Sequence, residues 1–164
     1  MRSDTLFTGV RLLDPASGLD GLGELLVRDG LIADFGPALG RPDGVAVVAG
    51  DGAVLCPGLV DMRVELGEPG FEFRETIASA AAAAASGGIT TVAAMPTSQP
   101  AIDDPAMVRL LRARGEETGS LTILPYGAVT RGCRGEELAE LGLLDEAGAV
   151  AFTDGDHTIG SARL

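Results

Sequence analysis

The chain has 164 residues, enough for one substantial core or for a small accessory domain beside part of a larger one. Hydrophobic residues make up 46% of it and charged residues 22%, a balance that excludes a disordered chain. With 24 acidic against 12 basic residues the formal net charge is −12, which disfavours any broad contact with nucleic acid or an anionic membrane. Residues 5–13, 24–28, 31–35 and 45–55 read as short strands, so residues 1–57 form a small β unit. Asp29-Gly30 between the second and third strands is a type I′ hairpin signal, because both central positions of that turn need positive φ.

From Gly58 the pattern changes to alternating strands and helices, which argues for a parallel α/β sheet over residues 58–164. The strands are predicted at 58–66, 89–96, 121–130 and 149–154, and the helices at 73–86, 105–118 and 136–146. In the first helix the alanine run at 80–85 favours helix, and Gly87-Gly88 stops it. Asp104 is an N-cap followed by Pro105 at the first helical position, and Met107, Val108, Leu110 and Leu111 supply a core-facing stripe. An eight-stranded βα barrel takes about 250 residues, so four strands are about half of one. The chain is therefore expected to be a fragment, a truncated gene product or a half that finds a partner.

Only Cys56 and Cys133 are present, without C-x-x-C spacing, so neither a disulfide framework nor a zinc knuckle is indicated and both are expected to be buried. The first ten residues contain no apolar leader, and no stretch reaches the roughly 18 apolar residues of a membrane span. A cytoplasmic location is expected.

The most informative stretch is Gly58-Leu-Val-Asp-Met-Arg-Val-Glu-Leu-Gly-Glu-Pro-Gly70. Period-two alternation sends Asp61, Arg63 and Glu65 to one face of the strand and Met62, Val64 and Leu66 to the other. With the flanking Leu55-Cys-Pro-Gly-Leu-Val-Asp61 and Glu68-Pro-Gly-Phe-Glu-Phe-Arg-Glu-Thr-Ile77, it resembles the dihydroorotases and related cyclic amidohydrolases. The resemblance implies the N-terminal part of a TIM-type (β/α)8 barrel, about four βα units, beside a portion of a β-sandwich completed by strands from the far C-terminus. Active members read Asp-x-His-x-His-x-Arg-Glu-Pro-Gly here. Carried over residue by residue, their two metal-ligand histidines fall on Arg63 and Glu65, and the arginine that grips the substrate carboxylate falls on Gly67. The chain is most similar to the inactive homologues, the pseudo-dihydroorotases, that accompany aspartate transcarbamoylase.

The same resemblance implies an asparagine for substrate binding where this chain has Thr97, whose hydroxyl lacks the amide's paired donor and acceptor. It matches Asp154 to a metal-ligating aspartate and places further ligands and the catalytic aspartate beyond Leu164. His157, the only histidine, is expected to face solvent, and Arg131 and Arg134 to be solvated or to cap a helix rather than bind an anion. Asp61, Glu65, Asp154, Asp156 and His157 offer oxygen-rich ligands suited to Mg²⁺ or Mn²⁺, but Arg63 projects a permanent cation with no lone pair into that space. Arg63 is instead expected to stand in for the ion by pairing with Glu65 or Asp154. No cofactor is expected, although the resemblance implies zinc in active relatives.

These readings predict a catalytically degenerate dihydroorotase-like protein of pyrimidine biosynthesis, homo-oligomeric and supporting assembly of the aspartate transcarbamoylase catalytic chain. The alternatives are an active metal-dependent cyclic amidohydrolase, of dihydroorotase or hydantoinase type, with an atypical or shared site, and a partial gene product.

Overall fold

The computed structural model describes residues 4–164. The chain divides between Pro57 and Gly58 into two compact units. In the first, β1 (Thr5–Asp14), β2 (Leu19–Arg28), β3 (Leu31–Gly36) and β4 (Ala46–Ala49) form a sheet in the order β3-β2-β1-β4, and β5 (Val54–Leu55) also pairs with β1. Alternation along β1 buries Leu6, Val10 and Leu12, and Leu26 joins them from β2.

Two expectations for this unit are corrected. The strand predicted at 24–28 begins at Leu19, because β1 and β2 pair back to Asp14↔Leu19. The Asp14 carboxylate closes the intervening turn, accepting from the Ala16 N–H at 3.1 Å and from the Ser17 hydroxyl at 2.6 Å. The strand predicted at 45–55 is two strands, since Asp51 and Gly52 turn the chain with φ of 48° and 86°, and both pieces run parallel to β1. The β2–β3 hairpin turns at Asp29 and Gly30 with φ of 52° and 82°, the signs that a type I′ turn requires.

In the second unit β6 (Leu59–Val64), β7 (Ile89–Ala94) and β8 (Thr122–Pro125) form a parallel sheet in chain order. The crossovers are α1 (Ile77–Ser86) and α2 (Pro105–Thr118), and α3 (Leu141–Ala147) follows β8. Thr76 and Ser79 close a reciprocal capping box at the start of α1. Residues 73–75 lie outside that helix, correcting its predicted start, because Phe71 and Arg74 are bonded into a turn. At α2 the Asp104 carboxylate accepts from the Ala106 N–H at 2.7 Å and Gly119 ends the helix with φ 68°. Val108 and Leu111 are buried, whereas Leu110 is 43% exposed and drops out of the predicted stripe. The core is built from Leu66, Ile77, Val92, Ile102, Ile123 and Leu144 around this pair.

The helix predicted at 136–146 starts at Leu141 instead. Thr130 bridges Leu138, and the Ala139 N–H donates to the Val129 carbonyl at 2.9 Å, so that backbone is already committed. The fourth strand, predicted at 149–154, is reduced to one parallel bridge between Gly127 and Phe152, with flanking bonds such as Val150 N–H to the Pro125 carbonyl at 3.0 Å. Cys133 is buried, but Cys56 is exposed in an open apolar groove of the first unit, correcting the expectation that both are buried. Among the described residues no helix is long and apolar enough to cross a membrane.

Candidate functional site

Parallel strands bring their C-terminal ends to a common edge, and the loops that follow β6, β7 and the fourth-strand bridge meet there. They enclose a cavity of about 470 Å³ lined by Glu65, Gly67, Phe71, Arg74, Glu75, Thr97, Asp156 and His157. Glu65, Gly67 and Thr97, three of the residues singled out from sequence, thus share one cavity.

Asp61 is half-buried, and its carboxylate accepts from the Arg63 N–H at 3.0 Å. The Arg63 side chain turns outward, and its Nη2 donates to Asp156 Oδ1 at 2.7 Å. That hydrogen bond, the charge of Asp156 and, more weakly, the charge of Glu65 hold the guanidinium pKa above its ordinary value. The expected pairing of Arg63 with Glu65 or Asp154 is therefore corrected: the partner is Asp156. Asp154 is unavailable because it is 4% exposed and its carboxylate already accepts from the Val129 N–H, the Thr130 N–H and the Thr130 hydroxyl at 2.8, 2.9 and 2.5 Å.

Gly67 is held by close packing. A Cβ there would lie 2.4 Å from the Glu75 carbonyl oxygen and 2.9 Å from that of Phe71, so no side chain fits without moving backbone. An arginine at this position needs a different loop. The loop itself is braced by its own motif: Glu68 accepts from the Ile77 N–H at 3.0 Å, satisfying a free donor at the start of α1. Arg74 lies over the rings of Phe71 and Phe73, 4.9 and 5.4 Å from their centroids.

His157 is exposed on the cavity rim. Arg131 pairs with Glu137 at 3.3 Å and lies 3.8 Å from Glu140, and Arg134 is exposed; neither lines the cavity. Sequence reasoning missed Asp156, Val129 and Thr130 as partners. Period-two reasoning ends at Gly155, and nothing local links residue 130 to residue 154.

Zinc does not fit these residues. Arg63 has no lone pair to donate, both oxygens of Asp154 are engaged, and among the described residues no three His, Cys, Asp or Glu side chains converge.

A family model described as dihydro-orotase-like matches residues 52–164. Dihydroorotase of Pelobacter propionicus is 46% identical over 154 residues, covering 94% of this chain and 36% of the relative. Dihydroorotase of Geobacter sulfurreducens is 40% identical over 159 residues, covering 97% of this chain and 37% of the relative. The chain thus spans a little over a third of the length of these relatives. Among solved structures, L-hydantoinase (dihydropyrimidinase) from Arthrobacter aurescens superposes with a TM-score of 0.70 at 23% identity, over 92% of this chain and 32% of that one. A dihydroorotase superposes at 0.61 and 19% identity, over 92% and 42%. The fold is the N-terminal part of a TIM-type amidohydrolase barrel.

Proposed function

Because this chain belongs to the dihydro-orotase-like family, we propose that it is a dihydroorotase-like protein of pyrimidine biosynthesis that has lost hydrolysis and supports assembly of the aspartate transcarbamoylase catalytic chain. The observation that carries this reading is Arg63. It stands where the family resemblance expects a metal-ligand histidine, and it is paired 2.7 Å from Asp156.

Hydrolysis of a cyclic amide needs water activated near neutral pH, a polarised carbonyl and a base to move protons. Zinc supplies the first two in enzymes that hold it. What this chain's own residues offer is different: Arg63 neutralises Asp156, Asp154 is spent on the Val129 and Thr130 N–H groups and the Thr130 hydroxyl, and positions 67 and 97 bring neither an arginine nor an amide, Arg74 being the arginine in the cavity lining. Restoring a single histidine is therefore not expected to restore activity.

The test is ring opening of dihydroorotate and hydantoin by the purified chain, with and without added zinc or manganese, together with its metal content. No turnover and no stoichiometric divalent ion are expected; turnover abolished by Asp154→Ala would sink the reading. For assembly, a shift in sedimentation on mixing with the catalytic chain is expected, and independent migration counts against it.

A second reading, an active cyclic amidohydrolase completed by residues from elsewhere, is favoured by the relatives at 46% and 40% identity that carry the name dihydroorotase. Ring opening that appears once the completing residues are supplied, with zinc or manganese present, would establish this second reading, and its absence there would leave the first.

A further inference from the structure

Residues 153–157 follow the Gly127–Phe152 bridge and border the cavity through Asp156 and His157. Beyond the Thr153 N–H, which donates to the Gly127 carbonyl at 3.0 Å, two side-chain attachments of opposite character hold this segment. The inner one is Asp154, 4% exposed, which accepts from Val129 N–H, Thr130 N–H and the Thr130 hydroxyl at 2.8, 2.9 and 2.5 Å. Thr130 is itself fully buried, and its hydroxyl oxygen accepts from the Gly135 N–H at 2.8 Å. The outer attachment is the Arg63–Asp156 pair at 2.7 Å, whose side chains are 62% and 78% exposed. Gly155 lies between them with φ 66°, beside Thr97.

Charge-assisted hydrogen bonds sheltered from water are strong and screened much less by salt. An exposed ion pair is weak and screened. We propose that residues 153–157 form a strap across the cavity mouth, with a permanent buried foot at Asp154 and a salt-releasable clasp between Asp156 and Arg63. Clasped, the strap holds Asp156 and His157 over the side of the cavity formed by Glu65 and Thr97; released, the turn at Gly155, closed by the His157 N–H on the Asp154 carbonyl at 3.2 Å, opens and widens that side. None of these bonds involves a metal or a substrate, so the strap stands whether or not the chain is an enzyme.

His157 is the single histidine of the 164-residue chain, so its imidazole proton resonance reports on the strap alone. The test follows that resonance and backbone amide exchange in the full chain while salt rises from about 0.01 M to about 1 M, shortening the Debye length from roughly 30 Å to roughly 3 Å. The wild-type His157 resonance should move with salt toward its position in Arg63→Ala and in Asp156→Asn, which should themselves be nearly salt-insensitive. Exchange at the Val129 and Thr130 amides should not respond to salt or to Arg63→Ala. Thr130→Val should speed exchange at Val129, Thr130 and Gly135 by about tenfold or more, as loss of a bond to a charged acceptor does. A wild-type His157 resonance identical to that of Arg63→Ala at low salt would overturn the clasp. Salt-dependent exchange at Val129 and Thr130 would overturn the permanent foot, a result readable in the wild-type chain even if Thr130→Val does not fold.

Discussion

The two units handle the same problem, covering an apolar sheet, with different success. In the barrel segment Ile102, Val108 and Leu144 are fully buried, and Leu111 and Ile123 are 2% exposed. In the N-terminal unit Leu22 is 77% exposed, Leu31 74%, Ile32 65% and Phe35 56%, and β3 and β4 are open along nearly their whole length. A parallel strand pair cannot be joined by a short turn, so the crossover helix that joins it also covers it. Hairpin connections such as Asp29-Gly30 bring no such cover. The apolar face lined by Phe7, Leu25, Val27, Ile32 and Phe35 therefore has no layer over it among the described residues.

Truncation on the covered and the open sheet gives the largest contrast. Leu111→Ala or Ile123→Ala in the barrel segment should destabilise by about 2–5 kcal/mol in denaturant unfolding. Ile32→Ala in the N-terminal sheet should stay within about 0.5 kcal/mol, as surface substitutions do. Equal losses at both places would mean that the N-terminal face is covered in solution, and the contrast would fail.

Asp104→Ala should cost about 1 kcal/mol, the usual worth of a helix N-cap, because only one bond, to the Ala106 N–H, is lost. Thermal unfolding checks this, with Asp104→Ser expected to retain most of the stability.

The two cysteines sharpen the contrast through their reactivity. Burial, and then the negative charges of Asp154 and Asp103, push the Cys133 thiol up to about 11. A thiol reagent near pH 8 should therefore label one cysteine, the exposed Cys56, in the native chain and both in denaturant. Because the folded pKa of Cys133 is raised, its contribution is intact below the ordinary thiol range of roughly 8.5 and is lost as pH rises toward about 11. Prompt labelling of two thiols in the native chain would contradict the burial of Cys133.

The smallest effect belongs to Arg11, which bonds both oxygens of Asp20 at 2.6 and 2.7 Å but with both side chains about half exposed. That contact lowers the Asp20 pKa, so any stabilisation is present above the ordinary carboxylate range and fades as pH falls through the lowered value. Arg11→Gln should leave the unfolding midpoint unchanged within error at physiological salt.

Much of this architecture was legible because its signals are local. The Asp104-Pro105 start of α2, the Asp29-Gly30 turn and the strand-helix alternation each depend on residues a few positions apart. Boundaries failed where a distant partner claimed the backbone, as when Thr130 bridged Leu138 and delayed α3 to Leu141.

At the cavity the division is sharper. Residue identity alone established that Arg63 carries a permanent cation and offers no lone pair, and that Gly67 and Thr97 offer no arginine or amide. It did not establish which carboxylate Arg63 would meet. Asp154 and Asp156 are chemically identical and two positions apart, yet one is buried against Val129 and Thr130 and the other is exposed beside Arg63. Side-chain chemistry is a property of the chain itself, whereas burial and partnership depend on segments 25 and 93 residues away that only the folded sheet brings together.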